Sequence, residues 1–436
     1  MRQKAYEIVY GVLEQDKHSD ELFHSIVAKE SITDSRDKRF LKRLAYGTIE
    51  RAIESDARIN QVASLSIRKM KPTVRTVLRM AVYEIYYMDN VPEAVSCHEA
   101  VELLKKTDSN SYTAFVNGVL RTIIRKSDEL TLRYPWQSLC LPKELYEYFV
   151  DSYGKKTAKK IGQAFLAKEA EVTLHIDVNK ISRTAYEQKL IEAGVEFCES
   201  HYIGEALRVR HVENVTTLPG YEEGLFFVQD ESSMLPVVCA DIKPGAIVVD
   251  VCSSPGGKTM HALTRLQGQG FVCARDISEK KIKRVTENVT RMKYNNVQYK
   301  VWDGTVKDKE WENRADVVLV DVPCSGIGII GRKPEIKYRA LQSSKQLVPI
   351  QRDICKTAVN MLRPGGVLIY STCTINKEEN EENVSFLENS CQLIKESLDA
   401  YLPEVLHNKM TAEGMLQMLP GIHKSDGFFV ARFRKE

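Results

Sequence analysis

With 436 residues the chain is long enough for two or three domains, each able to bury a core. Apolar residues make up 43% and charged residues 28%, an ordinary globular balance, and a formal net charge of +3 does not by itself mark a nucleic-acid binder. Ten cysteines without a C-x-x-C pair give no zinc-site spacing, so no metal is expected. No run approaches the roughly 18 apolar residues of a membrane span, and the N-terminus lacks the apolar core of a signal peptide. The composition therefore argues against membrane and disulfide-stapled secreted classes, and a cytoplasmic protein with reduced thiols is expected.

Residues 1–130 read as helical throughout. AYEIVYGVL, RFLKRLAYGTIERAI, VRTVLRMAVYEIYYM and AFVNGVLRTIIRK repeat apolar residues at three- and four-residue spacing, and VPEAVSCHEAVELLKK opens a further helix after Pro92. An all-α bundle is expected. Between Arg36 and Arg79 basic residues outnumber acidic ones about three to one, among them Arg36, Arg39, Arg43, Arg51, Arg75 and Arg79. Such an excess is either a solvated helix face or an electrostatic footprint for a phosphate backbone.

RYPWQSLCLP, with its prolines and Trp136, marks a boundary. Residues 131–225 mix helix-like LYEYFVDSYG with strand-like EVTLHIDV and LRVRHV, which predicts a small α+β connector. From residue 226 to 436 the pattern changes again. AIVVDVC, GFVCARDIS, VQYKVWDG, ADVVLVDVP and GGVLIYSTC are short apolar runs bounded by Gly, Pro or Asp, with helical segments between them. That alternation predicts an α/β domain with a mostly parallel sheet, whose ligands bind beyond the carboxyl ends of the strands.

The loop after the first of these strands, DVCSSPGGKT, is neither a P-loop nor G-x-G-x-x-G, because Cys252 stands where a P-loop needs its first glycine. Its paired glycines, Gly256 and Gly257, still allow a ligand to approach a helix N-terminus closely, where a carboxylate is favoured. Asp276, Asp303 and Asp321 close the next three strand-like runs. An acid about 20 residues beyond a glycine loop is placed to accept hydrogen bonds from ribose hydroxyls. Together they describe a nucleoside-bearing ligand without a bulky polyphosphate. Two thiols, Cys324 in DVPCSG just past Asp321 and Cys373 in YSTCT at the next strand end, stand in similar settings, and pattern alone does not rank them.

DVCSSPGGKT, DVPCSGIG and RPGGVLIYSTC, in that order, resemble the RNA cytosine-5 methyltransferases that use S-adenosylmethionine. VQDESSMLP and the C-terminal SDGFFVARFRK are also similar to that family, while RDKRFLKRLAYGTIER, NVPEAVSCHEAVELLKK and FVNGVLR resemble NusB-like RNA-binding domains. The fusion has the layout of the RsmB (Sun/Fmu) type of bacterial 16S rRNA cytosine-C5 methyltransferase. The resemblance implies a Rossmann-like domain whose last strand, FFVARF, runs antiparallel. It implies that Cys252, Ser253, Ser254, Pro255, Gly256, Gly257 and Lys258 line the methionine part of the cofactor. Asp276 would take the ribose, Asp303 the adenine side, and Asp321 would lie near the methionine amine and the target base. It further implies Cys373 as the nucleophile and Cys324 as the residue assisting product release. Arg36, Arg39 and Arg43, with Arg332, Lys333, Lys337 and Arg339 just past the Cys324 loop, are candidate RNA contacts. The expected partner is 16S rRNA, naked or in a partly assembled small subunit, and a monomer is expected. The alternatives are the same chemistry on tRNA or another RNA, and an RNA-binding assembly factor with an inert methyltransferase domain.

Overall fold

The computed structural model describes residues 1–167, 171–212 and 214–436. They form two compact units, Met1–Leu166 with Ile330–Arg339, and Ala167–Ile329 with Ala340–Glu436.

The first unit is helical: α1 (Arg2–Gln15), α2 (Ser19–Lys29), α3 (Ser35–Val62), α4 (Pro72–Tyr87), α5 (Glu93–Lys105), α6 (Thr113–Arg125), α7 (Pro135–Ser138), α8 (Lys143–Tyr153) and α9 (Lys155–Leu166). Local chemistry sets the ends of these helices. Asp34 caps α3 by accepting from the Arg36 N–H, and α4 opens on Pro72, which has no N–H to leave unpaired. In α6 the buried residues are Val116, Val119, Leu120 and Ile123, one helical face that meets Ile8, Leu44, Ile49, Val77 and Leu104 in a shared core.

The basic excess read along the chain is not a continuous surface here. Arg51 pairs with Glu54, Arg75 with Glu14, and Arg79 with both Asp56 (2.7 Å) and Glu14 (3.2 Å). These acids lie on other turns or other helices, so folding neutralises charges that the linear sequence shows as unopposed.

The second unit opens with β1 (Glu171–Ile176), α10 (Arg183–Glu192), β2 (Phe197–Glu199), β3 (Ala206–Arg210) and β4 (Phe226–Val228), forming a four-stranded antiparallel sheet in the order β2-β3-β1-β4. Then follow α11 (Glu231–Ala240), β5 (Ile247–Asp250), α12 (Gly257–Leu266), β6 (Phe271–Asp276), α13 (Glu279–Arg291), β7 (Val297–Val301) and β8 (Ala315–Asp321). After the segment lent to the first unit come α14 (Ala340–Met361), β9 (Leu362–Thr372), α15 (Glu381–Cys391), β10 (Leu393–Lys395), β11 (Met415–Met418) and β12 (Phe428–Lys435). The large sheet has the order β10-β12-β9-β8-β5-β6-β7, with β11 paired to β12. Strands β5 to β9 pair in parallel, and β12 joins β9 antiparallel, as the resemblance implied for FFVARF.

The parallel strands bury both faces. Val248, Leu319 and Ile369 enter one core, while their chain neighbours Val249, Val318, Val320, Leu368 and Tyr370 enter the other, following the two-residue period of a strand. Between β5 and β8 the strand order reverses, and the crevice opens beyond their carboxyl ends. No helix among the described residues is long and apolar enough to cross a membrane.

The stretch 131–225, read as one connector, is shared between the two units. Helices α7–α9 belong to the first, where Arg51 reaches Cys140, and the four-stranded sheet belongs to the second. There Tyr294 donates to Asp177 at 2.7 Å and Lys180 donates to the Gly224 carbonyl at 2.9 Å.

Candidate active site

The glycine loop turns directly from β5 into α12. Gly256 occupies the N-cap of α12 at φ 113°, a backbone conformation strained for any L side chain, and no side chain caps the helix. The first N–H groups of α12 are therefore left to the loop. Ser253 donates from both its N–H (2.8 Å) and its hydroxyl (2.9 Å) to the Arg275 carbonyl, and the Ser254 N–H donates to Asp276 Oδ2 at 3.0 Å. The other Asp276 oxygen accepts from the Ile277 N–H and faces Lys281 Nζ at 3.0 Å. The acid is thereby aimed along the loop. Asp303 lies exposed beyond β7, accepting from the N–H and hydroxyl of Thr305, and the Thr305 N–H holds its carboxyl below the usual range.

Behind the loop, Asp250 is fully buried. Thr259 donates to its Oδ2 at 2.6 Å, whereas Oδ1 has no hydrogen-bond partner among the described residues. Burial pushes this carboxyl up to about 7, against the Thr259 bond and the Lys258 charge. Sequence reasoning passed over Asp250, although it ends the same apolar run that introduces the loop.

At the ends of β8 and β9 two further groups converge. Lys258 Nζ lies 2.6 Å from Asp321 Oδ2, and the Ser371 hydroxyl donates to Asp321 Oδ1 at 2.8 Å. Three residues past Asp321 and two past Ser371, Cys324 Sγ and Cys373 Sγ lie 3.0 Å apart. The Cys324 thiol is pushed well up, first by its hydrogen bond to Cys373 and then by burial.

A close backbone approach holds the two cysteine loops together. The Gly328 N–H donates to the Cys373 carbonyl at 3.1 Å, and Gly427 N–H donates to the Gly328 carbonyl at 2.9 Å. A Cβ on Gly328 would lie 2.0 Å from the Gly427 carbonyl oxygen, so this crossing requires glycine. The acidic run after YSTCT, NKEENEEN, leads into α15 and is only partly solvated, with Lys377, Glu378 and Glu382 exposed. Glu379, Asn380 and Asn383 are fully buried and hydrogen-bonded beneath the cysteines. Asparagines spaced three apart within an acidic run were the available signal.

The basic candidates separate into distinct settings. Arg36, Arg39 and Arg43 are exposed on α3 at three- and four-residue spacing, and Arg43 also donates to the Tyr87 carbonyl at 2.6 Å. Arg332 and Lys333 are exposed, with Lys333 Nζ 3.4 Å from Asp20. Lys337 departs from the expected surface contact. It is buried within the first unit, donates to the Glu50 carbonyl at 2.5 Å, and is pushed down to about 8 by burial. Arg339 is likewise engaged, with Asp16 at 2.7 Å. The 3-10 turn Pro334–Tyr338 buries Lys337, while Arg339 just beyond it stays half-exposed.

The fold also assembles His175, Glu205 and His261, whose ligand atoms lie within 4.8 Å of one another, which no sequence spacing announced. The Arg265 guanidinium already bridges this group, reaching Glu205 and lying 3.3 Å from His261 Nε2.

A family model described as 16S rRNA methyltransferase RsmB/F matches residues 237–434, and the NusB family model matches residues 1–125. The chain is 30% identical over 449 aligned residues to a Bacillus subtilis (strain 168) protein named probable ribosomal RNA small subunit methyltransferase B, covering 100% of this chain and 99% of that one. The chain belongs to the RsmB/F family. A second family member, ribosomal RNA small subunit methyltransferase B of Cronobacter sakazakii, is 28% identical over 100% of this chain and 99% of its own length. Among solved structures, that of PH0851 shares the fold with a TM-score of 0.80 at 24% identity, covering 100% of this chain and 99% of that one. The structure of NSun6 from Pyrococcus horikoshii with SFG aligns with a TM-score of 0.60 at 23% identity, over 67% of this chain and 98% of that one. The RsmB/F match spans the glycine loop, Asp276, Asp303, Asp321 and both cysteines.

Proposed function

We propose that this RsmB/F protein methylates C5 of a cytosine in 16S rRNA, with S-adenosylmethionine as methyl donor, Cys373 as nucleophile and Cys324 assisting release. The single observation that carries the reading is the thiol pair, 3.0 Å apart, at the strand ends beside an uncapped helix N-terminus and three acids. The names of the full-length relatives support ribosomal RNA of the small subunit as the substrate.

The residues fit such a donor. The uncapped start of α12 suits the methionine carboxylate, Asp276 suits ribose hydroxyls, and Asp321 suits an ammonium or a base edge. When bound, S-adenosylmethionine supplies an electrophilic methyl group. Every other part of the chemistry falls to the protein. Cytosine C5 is a poor nucleophile until a thiolate adds at C6, which breaks ring conjugation and makes C5 enamine-like. The Cys324 thiol, pushed well up, lies 3.0 Å from the Cys373 sulfur, whose thiolate is the reactive form in this chemistry. After C5 has gained its methyl group, a base removes the C5 proton. That electron pair restores the C5–C6 double bond, and the C6–S electrons return to Cys373. The Cys324 thiol donates to the departing sulfur and lowers the cost of its release. Asp321, fixed on both oxygens, presents its remaining acceptor capacity to the cytosine edge.

The target base must leave its stack to meet both a thiolate and a methyl donor, which costs least in an unpaired loop. Arg36, Arg39, Arg43, Arg332 and Lys333 supply exposed cationic groups for the phosphate backbone. Bisulfite mapping of RNA from cells with and without the gene tests the proposal. One 16S rRNA cytosine should lose protection when the gene is absent; an unchanged map would sink the reading, and a loss confined to tRNA would move the substrate.

A further inference from the structure

The turn that carries Cys324 is fastened on both sides from a single buried carboxylate. Glu379 is fully buried, and its Oε2 accepts from the Ser325 N–H (2.8 Å) and from Gln351 Nε2 (2.8 Å), while its Oε1 accepts from the Ser325 hydroxyl. Gln351 Nε2 also donates to the Pro323 carbonyl at 2.9 Å. Residues 323 and 325, the two neighbours of Cys324, are therefore both tied to the Glu379–Gln351 pair. The network reaches the second cysteine as well. The Ser325 hydroxyl has given its proton to the bond with Glu379, so the Thr374 hydroxyl, 2.9 Å away and adjacent to Cys373, donates to Ser325 Oγ. Tyr370 secures the Glu379 backbone by donating to its carbonyl at 2.6 Å, and Asn383 Nδ2 holds Gln351 Oε1 at 2.8 Å. Burial pushes the Glu379 carboxyl up, and the donors from Ser325 and Gln351 oppose that shift.

We infer that Glu379 is a positioning residue for the two-cysteine reaction: through Ser325 and Gln351 it sets the Cys324 thiol against Cys373 and so governs release of the methylated base. The inference rests on the assignment of Cys373 as nucleophile and Cys324 as the release residue. A carboxylate suits this post because four lone pairs on two oxygens can hold three donors at once. Alanine would leave the Ser325 N–H without its acceptor and Gln351 with only the Pro323 carbonyl, and so free the turn. Glutamine keeps one oxygen for the Ser325 N–H and Gln351, and offers an N–H to Ser325 Oγ, whose proton can then pass to Thr374. Misplacement of a reacting group by an ångström costs on the order of 100-fold in rate.

The test uses full-length protein, S-adenosylmethionine and 16S rRNA from cells lacking the gene, with denaturing gels for covalent RNA–protein adduct and methyl incorporation for turnover. Glu379→Ala should lower turnover by about tenfold to 100-fold, leave the KM for RNA within about twofold, and accumulate adduct as Cys324→Ala does. Glu379→Gln should restore turnover to within about threefold of wild type. Loss of turnover without adduct, or wild-type turnover in a folded Glu379→Ala protein, overturns the inference. Should Glu379→Ala fail to fold, Ser325→Ala decides: slower release with adduct supports the inference, and unchanged release overturns it. Adduct in Cys324→Ala but in neither Glu379→Ala nor Ser325→Ala overturns this inference alone. Its absence in Cys324→Ala overturns the cysteine assignment and the inference with it.

Discussion

Cys324 Sγ and Cys373 Sγ meet at 3.0 Å although 49 residues separate them in the chain. They meet because β8 and β9 are parallel neighbours whose register sets Asp321 beside Ser371, so three residues past one and two past the other reach the same point. Two different roles follow from one contact. Cys373→Ala should abolish methylation and form no covalent RNA adduct, whereas Cys324→Ala should retain adduct formation and fail in release. A denaturing gel run after incubation with donor and RNA reads both outcomes, and the opposite pattern would exchange the assigned roles.

Lys258 and Asp321 form a close pair in which the lysine is largely covered. Lys258→Met keeps most of the side-chain volume but removes the cation that orients the carboxylate. Methylation should fall by about 100-fold, while the thermal midpoint in the absence of donor and RNA changes little. Single-turnover methyl transfer beside a melting curve checks this, and unchanged transfer would remove Asp321 orientation from the mechanism.

Gly328 crosses Gly427 so closely that a side chain on either meets backbone. Gly328→Ala must push the Cys324 loop away from the Cys373 carbonyl. It should cost about 1–3 kcal/mol, measured as a lowered urea midpoint, and should slow turnover more than it weakens RNA binding.

Asp250 carries a pH dependence of definite sign. In the folded state its carboxyl holds a proton to about pH 7, whereas the unfolded chain releases it near the ordinary value of 3.8. The folded state therefore binds more protons between those limits, and this contribution is fully present below about pH 4 and lost as pH rises through about 7. Relative to Asp250→Asn, wild type should lose about 4 kcal/mol of stability across that window. Urea unfolding of both proteins from pH 4 to pH 8 checks it, and parallel curves would refute it.

The basic residues should divide by setting. A triple Arg36/Arg39/Arg43→Ala variant should weaken RNA binding and reduce the slope of log affinity against log salt by about 2, near 0.7 for each phosphate left without its arginine. Lys337→Met should leave that slope unchanged, because its ammonium is occupied by the Glu50 carbonyl inside the first unit. Filter binding across a salt series separates the two.

The periodic segments were legible because their signal is local. Apolar spacing in AFVNGVLRTIIRK marks the buried face of α6, and the alternation of short apolar runs with helices marks the parallel sheet. Acids and thiols just past each run could be assigned to strand ends, since in such a sheet those ends share one edge. The extent of the connector was not legible. Helices α7–α9 and the sheet β1–β4 follow one another without a break in composition, and only packing assigns them to different units.

The sequence by itself thus determined the layers, the parallel strand ends, the glycine loop and the presence of two thiols past strands, since each depends on neighbours a few residues away. Only the tertiary structure decided which charges remain available. Arg79 and Lys337 read as free cations until Asp56, Glu14 and the Glu50 carbonyl arrive from other helical turns. Glu379 stands in the sequence among several acids, and only the fold singles it out by bringing Ser325 and Gln351 onto its carboxylate. The physical reason is the same in each case. Burial and pairing are set by residues distant in sequence, and a linear pattern carries no record of which side chain will close over which charge.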